Sequence, residues 1–350
     1  MTNTSTQVAE LHSLALRALE SVVPRGSAVA LVNFPNHGNP GDSAIWLGTH
    51  RLLAELHARI VYSAAWWSLD TARLASVLPD GGFVLINGGG NFGDVYLGQQ
   101  AQRERVLREL PQYRLVQMPQ SIWFEKQENL DRMRDLIRAH GAFDLLVRDK
   151  NSFRIASEQL GLAPVLSPDH AFGLGSRSRS SPTRSDILWN SWGPDAPEFR
   201  AQSAPPTGAV GVTHIDWIDG AESARTSGTG HARRSFGLNA HYFDRISGGH
   251  VLTVHDQRRL SRTFEIMARQ WTERGFAILG SAKVIVTNKL HGHIFSVISG
   301  VPHVVLDNSY GKVFQTIETW TRGLPGVHVA ESADEAYEIA CRLMQAVDNE

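Results

Sequence analysis

Covalent cross-links and long apolar runs are what this chain lacks most plainly. One cysteine, Cys341, occurs in 350 residues, so no intramolecular disulfide and no multi-cysteine metal site can form, which suits a reducing compartment. No stretch approaches the roughly 20 apolar residues that span a bilayer, and residues 1–20 lack the hydrophobic core of a signal peptide. An excess of either charge is missing too. With 34 Lys and Arg against 35 Asp and Glu, the formal net charge is -1. That gives no overall pull toward nucleic acid, and an anionic ligand has to be held by local cations. These absences suit a cytoplasmic protein, and peripheral contact with the cytosolic membrane face is compatible with them.

What the chain has instead is a recurrent pattern of β-branched runs that stop at polar turns. Ala28-Val29-Ala30-Leu31-Val32 runs into Asn33-Phe34-Pro35-Asn36-His37-Gly38-Asn39-Pro40-Gly41-Asp42-Ser43, with a helix expected from Ala44 and Asp42 or Ser43 as its cap. Phe83-Val84-Leu85-Ile86 ends in the glycine-rich turn Asn87-Gly88-Gly89-Gly90-Asn91-Phe92-Gly93-Asp94. Val284-Ile285-Val286 ends in Thr287-Asn288-Lys289-Leu290-His291-Gly292-His293, and a last strand ends in Asp307-Asn308-Ser309-Tyr310-Gly311-Lys312. Open α/β sheets bind ligands at the carboxyl ends of their strands, so these turns are where chemistry is expected.

A helix over about 8–23, short strands at 84–86, 114–118, 145–147 and 165–166, and charged helices at 99–110, 125–140 and 151–160 predict a parallel, doubly wound sheet. The fold expected is α/β, with two Rossmann-like domains facing across a cleft. Residues 1–175 form the first, on the acceptor side; 176–185, free of large apolar residues, form an exposed linker; 186–330 form the second, on the donor side. A helix over 331–350 could pack back on the first domain, and residues 201–237 read as loop with one strand near 210–212.

Lys289, His291 and His293 crowd one turn, so His291 is the first candidate for acid–base chemistry, against the plainer reading of an imidazole satisfied by a backbone carbonyl. His293, two residues along a helix, faces away from His291. Asp42 is either a helix cap or a base toward a sugar hydroxyl, with Asn36, His37, Asn39, Gly41 and Ser43 adding polar groups and close backbone approach. Gly89, Gly90 and Asn91 can meet an oxygen-rich ligand. Arg148, after Leu145-Leu146-Val147, suits capture of a carboxylate or phosphate, the alternative being a salt bridge to Asp149 or Asp169. Ser309 and Lys312 would close the same pocket. Asp169-His170 resembles half of a metal site, but two ligands make none and no metal is expected. Trp123 and Trp192 are candidates for stacking on a sugar ring. The Gly88–Gly90 turn lacks the dinucleotide fingerprint, so no nicotinamide cofactor is expected.

Six segments in order, Gly-Asn-Pro-Gly-Asp-Ser-Ala-Ile-Trp, Asn-Gly-Gly-Gly-Asn-Phe-Gly-Asp, Pro-Gln-Ser-Ile, Val-Arg-Asp-Lys-Asn-Ser, Pro-Asp-His-Ala-Phe and Lys-Leu-His-Gly-His, resemble the polysaccharide pyruvyl transferase family, exopolysaccharide-biosynthesis type, from about residue 33 to 312. The resemblance implies a fold similar to the glycosyltransferase B type. It also implies phosphoenolpyruvate as donor substrate without a cofactor, a sugar or lipid-linked oligosaccharide as acceptor, and a cyclic pyruvate ketal as product. The family's Arg-Leu-His donor motif falls on Lys289, Leu290 and His291, and its other donor arginine on Arg148. His291 would then be the acid and Asp42 the acceptor-side residue. Alternatives are a nucleotide-sugar glycosyltransferase of the same fold and a catalytically silent sugar-binding homologue.

Overall fold

The computed structural model describes residues 2–179, 181–193, 196, 204–219, 230–309 and 311–348. Two parallel sheets organise them. The first contains β1 (Ala28–Val32), β2 (Arg59–Ala64), β3 (Phe83–Ile86), β4 (Gly89–Gly93), β5 (Arg114–Trp123), β6 (Phe143–Val147) and β7 (Val165–Leu166), in the order β2-β1-β3-β5-β6-β7 with β4 beside β5. The second contains β8 (Ser185–Asn190), β9 (Val212–Ile215), β10 (Ala282–Thr287), β11 (His303–Val305) and β12 (Val327–Val329), in the order β12-β11-β10-β8-β9. Six helices run through the first half: α1 (Thr2–Glu20), α2 (Pro40–Glu55), α3 (Thr71–Val77), α4 (Leu97–Glu109), α5 (Gln127–His140) and α6 (Lys150–Arg154). Five follow: α7 (Gly230–Ser247), α8 (Val254–Leu279), α9 (Leu290–Ser299), α10 (Lys312–Trp320) and α11 (Ala333–Asp348). Among the described residues no helix is long and apolar enough to cross a membrane.

The strands are apolar on both faces because both faces are covered. On β1, Val29 and Leu31 enter one apolar layer while Ala28, Ala30 and Val32 enter the other. The first of these layers does not stop at the sheet it serves. It continues through Leu260, Phe264 and Trp271 of α8 to Leu188, Ile285 and Val305 of the second sheet, and Phe34 after β1 stacks on Phe264 at 4.3 Å. The two halves are therefore joined by shared core as well as by chain connection.

Each sheet reverses its strand order once, between β1 and β3 in the first and between β8 and β10 in the second. A ligand crevice opens at such a point. Here the four strand ends are the turns beginning at Asn33, Asn87, Ser191 and Asn288.

Several expectations need correction. Gly89–Gly93 is a strand within the glycine-rich segment: β5 is long enough to pair with β3 over its first half and β4 over its second, and Gly89 at φ 141 allows the break. The 331–350 helix does not return to the first sheet; Ala336 and Ala340 pack it on Val284 and Val304 of the second. The described residues of the 176–185 segment are mostly exposed, and two of them make contacts: Arg177 pairs with Glu273 at 2.8 Å and Arg179 donates to the Gly280 carbonyl at 2.7 Å. The expected loop at 201–237 holds its one strand as β9, at Val212–Ile215 where about 210–212 was expected, and also the start of α7; its residues 201–203 and 220–229 lie outside the described ones.

A tight crossing fixes α2, which carries much of the candidate site. A Cβ added to Gly48 would lie 1.7 Å from the His170 carbonyl oxygen. In an exposed helix, Gly to Ala stabilises by about 1 kcal/mol. Gly48→Ala should reverse that sign and cost about 1–3 kcal/mol through overpacking; an unchanged or raised urea midpoint would show that the crossing yields easily.

Candidate functional site

Two adjoining cavities lie at these strand ends. One, of about 490 Å³, is lined from the first half by Asn39, Gly90 and Arg148 and from the second by Trp192, Trp217, Lys289, Leu290, His291 and Lys312. The other, of about 400 Å³, is lined by Asn33, Phe34, Asn36, Trp66, Asn87 and Gly88 among others. His37, Asp42, Asn91 and Gln99 line both and form the shared wall.

The first-half wall is built on the start of α2. Asn39 is its cap, accepting from the Gly41 N–H at 3.1 Å, so neither Asp42 nor Ser43 caps it as expected. Asp42 Oδ2 instead accepts from Asn39 Nδ2 at 3.0 Å and sits 3.4 Å from His37 Nε2. This dyad opens into both cavities and is suited to removing a proton from a hydroxyl.

Arg148, buried at the end of β6, is held by two side chains: its Nε donates to Ser121 Oγ at 2.9 Å and its Nη1 to Asp169 Oδ2 at 2.7 Å. That leaves Nη2 directed over Gly90. A Cβ built on Gly90 would lie 2.8 Å from Nη2 and 3.4 Å from Lys312 Nζ, so the missing side chain leaves room between two cations from opposite halves. Lys312 begins α10, whose first N–H groups are held by Asp307 and Asn308: Asp307 Oδ1 accepts from Val313 and Phe314, and Asn308 Oδ1 from Lys312. Trp320 at the other end of α10 donates to the Arg148 carbonyl at 2.8 Å, fixing the helix against β6.

Lys289 is also buried. Its Nζ lies 2.9 Å from Asp216 Oδ1 and 3.3 Å above the Trp192 ring. His291, in the first turn of α9, packs its ring against Gly41, where a Cβ would come within 2.3 Å. Its Nε2 is 3.5 Å from Asp169 Oδ2. Burial would raise the Asp169 pKa, but the His291 hydrogen bond and charge, the Arg148 guanidinium and the Ala171 N–H outweigh it and hold the carboxyl below the usual range. Asp169 therefore stays ionised, holding Arg148 and ready to stabilise a charged His291.

The expected residues do not all gather. Asn36, His37, Asn39, Asp42, Gly90, Asn91, Arg148, Lys289, Leu290, His291 and Lys312 line the cavities. Gly41 and Gly89 stand behind the lining, the one covered by His291 and the other 3.8 Å, at its would-be Cβ, from Asp42 Oδ1. Ser43 is fully buried and Ser309 is exposed, and neither lines a cavity. His293 is a structural residue: its Nδ1 is 2.8 Å from His303 Nε2 and its Nε2 2.8 Å from Thr321 Oγ1. Because His303 Nδ1 donates to the Val301 carbonyl, its Nε2 accepts from His293, and His293 in turn accepts from Thr321, a chain that needs neutral rings. Trp192 reaches the cavity, while Trp123, 39% exposed, does not line it.

Asp169 and His170, read as half a metal site, turn different ways, Asp169 to Arg148 and His170 Nδ1 to Thr49 Oγ1 at 3.0 Å. Asp216, Trp217, Tyr96 and Gln99 were not singled out; the signal for Asp216 was its place just beyond the strand expected near 210–212, which runs on to Ile215.

Comparison with known proteins gives a consistent result. The family model for polysaccharide pyruvyl transferase matches residues 39–310. Pyruvyl transferase 1 of Schizosaccharomyces pombe is 30% identical over 331 residues, covering 89% of this chain and 75% of that protein. General stress protein 30 of Bacillus subtilis is 23% identical, covering 92% of this chain and 87% of that one. A crystal structure of an uncharacterised protein from Klebsiella pneumoniae superposes with a TM-score of 0.56 at 17% identity, covering 95% of this chain and 100% of that one, a likeness of fold.

The buried imidazoles predict a pH dependence of stability. Burial pushes His170 and His303 down to about 4 from an ordinary 6.5, and His293 well below it. Between those values the unfolded chain binds more protons, so stability is full above about pH 6.5 and is lost as pH falls toward 4, with each unit of pKa separation worth about 1.4 kcal/mol. Urea midpoints should fall between pH 7 and pH 5, and less steeply in His303→Gln; equal midpoints at the two pH values would mean that these rings are not held neutral.

Proposed function

From the premise that this chain belongs to the polysaccharide pyruvyl transferase family, we propose that it moves the pyruvyl group of phosphoenolpyruvate onto two hydroxyls of a sugar in an exopolysaccharide or its precursor. The products are a cyclic pyruvate ketal and inorganic phosphate. The observation that carries this reading is the cradle over Gly90, where Arg148 and Lys312 converge from opposite halves beside His291. A donor with a carboxylate and a phosphate suits a place where two cations meet beside the first turn of α9, whose N–H groups favour anions. The switch points facing one crevice also support a glycosyltransferase B type of arrangement, with residues 1–175 on the acceptor side and 186–330 on the donor side.

In this reading protonated His291 gives its proton to the methylene carbon of the donor, and positive charge develops at the neighbouring carbon bearing phosphate. The first sugar hydroxyl attacks that carbon while Asp42 takes its proton. The carbon–oxygen bond to phosphate then breaks, phosphate leaving with the electron pair and the proton held by Asp42. The second hydroxyl closes the ketal and returns a proton to His291. Asp169 serves throughout by stabilising the imidazolium, which a neutral partner would not do.

Phosphate release from phosphoenolpyruvate, together with the mass of the modified acceptor, tests the reading. His291→Gln should keep the fold and donor binding while losing about 100- to 10,000-fold in turnover, and Arg148→Gln should weaken the donor. Release of a nucleoside diphosphate from a sugar nucleotide, or sugar binding with no turnover on phosphoenolpyruvate, would replace it.

A further inference from the structure

Arg103 of α4 is almost wholly buried, and among the described residues no carboxylate pairs with it. Its guanidinium lies 4.3 Å over the Phe92 ring and donates to Gln117 and Gln100. Burial, opposed by the charge of Glu104, pushes its pKa down to about 9, which leaves it charged at neutral pH. A buried cation with no carboxylate in contact is costly, so its remaining contacts are informative. Both go to Asn91: Nη1 to the carbonyl at 3.3 Å and Nη2 to Oδ1 at 2.8 Å.

Asn91 Oδ1 also accepts from Gln120 Nε2 at 3.1 Å. Two donors on one oxygen settle the orientation of the amide, with Nδ2 as the other end. Nδ2 has no hydrogen-bond partner among the described residues, and Asn91 lines both cavities. Asp42 is arranged in the complementary sense: its contacts with Asn39 and His37 are on Oδ2, and Oδ1 accepts from no described residue. The two unoccupied atoms flank the same glycine, 3.9 Å (Asn91 Nδ2) and 3.8 Å (Asp42 Oδ1) from the position a Gly89 Cβ would take.

We infer that Asp42 Oδ1 and Asn91 Nδ2 form a diol clamp in which one sugar hydroxyl donates to the carboxylate while its neighbour accepts from the amide, and that Arg103 is the positioning residue that holds the amide. The inference rests on the function proposed above and deepens it. Ketal formation needs two hydroxyls presented at once to one carbon, and an acceptor atom beside a donor atom distinguishes a diol from a lone alcohol. The flanking glycine keeps the space between them open.

The test measures acceptor and donor separately. With phosphoenolpyruvate and the methyl glycosides of glucose, galactose and mannose, Asn91→Ala should raise the acceptor KM about tenfold, the loss of one hydrogen bond, and leave the donor KM unchanged. Asn91→Asp, which can still accept from Arg103 and Gln120, should fail similarly because its second oxygen cannot donate. Arg103→Met should reproduce the Asn91→Ala split, with partial recovery in Arg103→Lys; thermal unfolding identifies any variant that fails to fold, and the two Asn91 variants then decide. An unchanged acceptor KM in Asn91→Ala, or an equal rise for the donor, overturns the clamp. Saturation-transfer NMR of the same glycosides separates the two failures. If the wild type releases no phosphate with any of them, the pyruvyl transfer reading falls, while the clamp stands or falls on whether Asn91→Ala weakens glycoside binding.

Discussion

The arrangement depends on one buried carboxylate. Asp169 accepts from Arg148 at 2.7 Å, lies 3.5 Å from His291 across the crevice, and accepts from the Ala171 N–H at 2.8 Å to start the short helical turn over 170–174. That turn carries the His170 carbonyl that meets Gly48 and the His170 ring that meets Thr49, so the same residue also helps to seat α2. Removing one partner of a buried ion pair typically costs about 3–5 kcal/mol. Here the loss would extend further, because Arg148 would lose its aim over Gly90, His291 its ionic partner, and α2 part of its support.

Close approach is the second constraint, and glycine supplies it where the two halves meet. Gly41 receives the His291 ring, Gly90 faces the Arg148 and Lys312 cations, and Gly275 of α8 receives Pro40, whose Cβ would lie 2.7 Å from an added Cβ. A side chain at Gly41 or Gly275 would push one half from the other, and one at Gly90 would displace the Arg148 guanidinium, so groups that the proposed chemistry requires together would separate. The shared apolar layer through Phe34, Phe264 and Trp271 supplies the complementary pressure that keeps them in contact.

Much of this was legible in the sequence. The alternation of apolar runs with polar turns located the strand ends, because a strand buried on both faces must be apolar until it leaves the sheet. Arg148, Lys289, His291, Asp42 and Asn91 followed from their positions just beyond such runs. What was not legible was which way side chains turn. His293 and His291 are two residues apart on one helix, and only packing shows that one ring enters the crevice while the other joins His303 in the core. Asp169 was named as an alternative partner of Arg148, which the ion pair bears out, but its approach to His291 was not legible; Arg103 was hidden by the charged surface pattern of α4, since nothing local says that one arginine of such a helix is turned wholly inward. The strand expected near 210–212 lies at Val212–Ile215, and Asp216 just beyond it was missed because the exposed residues of that strand resemble loop.

The lysine at position 289 changes how an anion can be recognised. A guanidinium there would have five N–H groups in a planar fork, able to bind a fixed carboxylate and a ligand together. An ammonium has three N–H groups around a compact charge, and here it is already set between Asp216 and the Trp192 face. An incoming carboxylate therefore competes with Asp216 for Lys289. Arg148 is similarly committed, through Nε to Ser121 and Nη1 to Asp169, and offers chiefly Nη2. Neither cation can hold the donor alone by a full fork. On the proposed function, recognition is assembled from single contacts on several elements, Arg148 from β6, Lys312 from α10 and the first turn of α9, and these coincide only when the two halves are held together through Asp169, Gly41 and Gly90. On the function proposed above, donor binding is therefore tied to the fit of the two halves more closely than it would be with arginine at position 289.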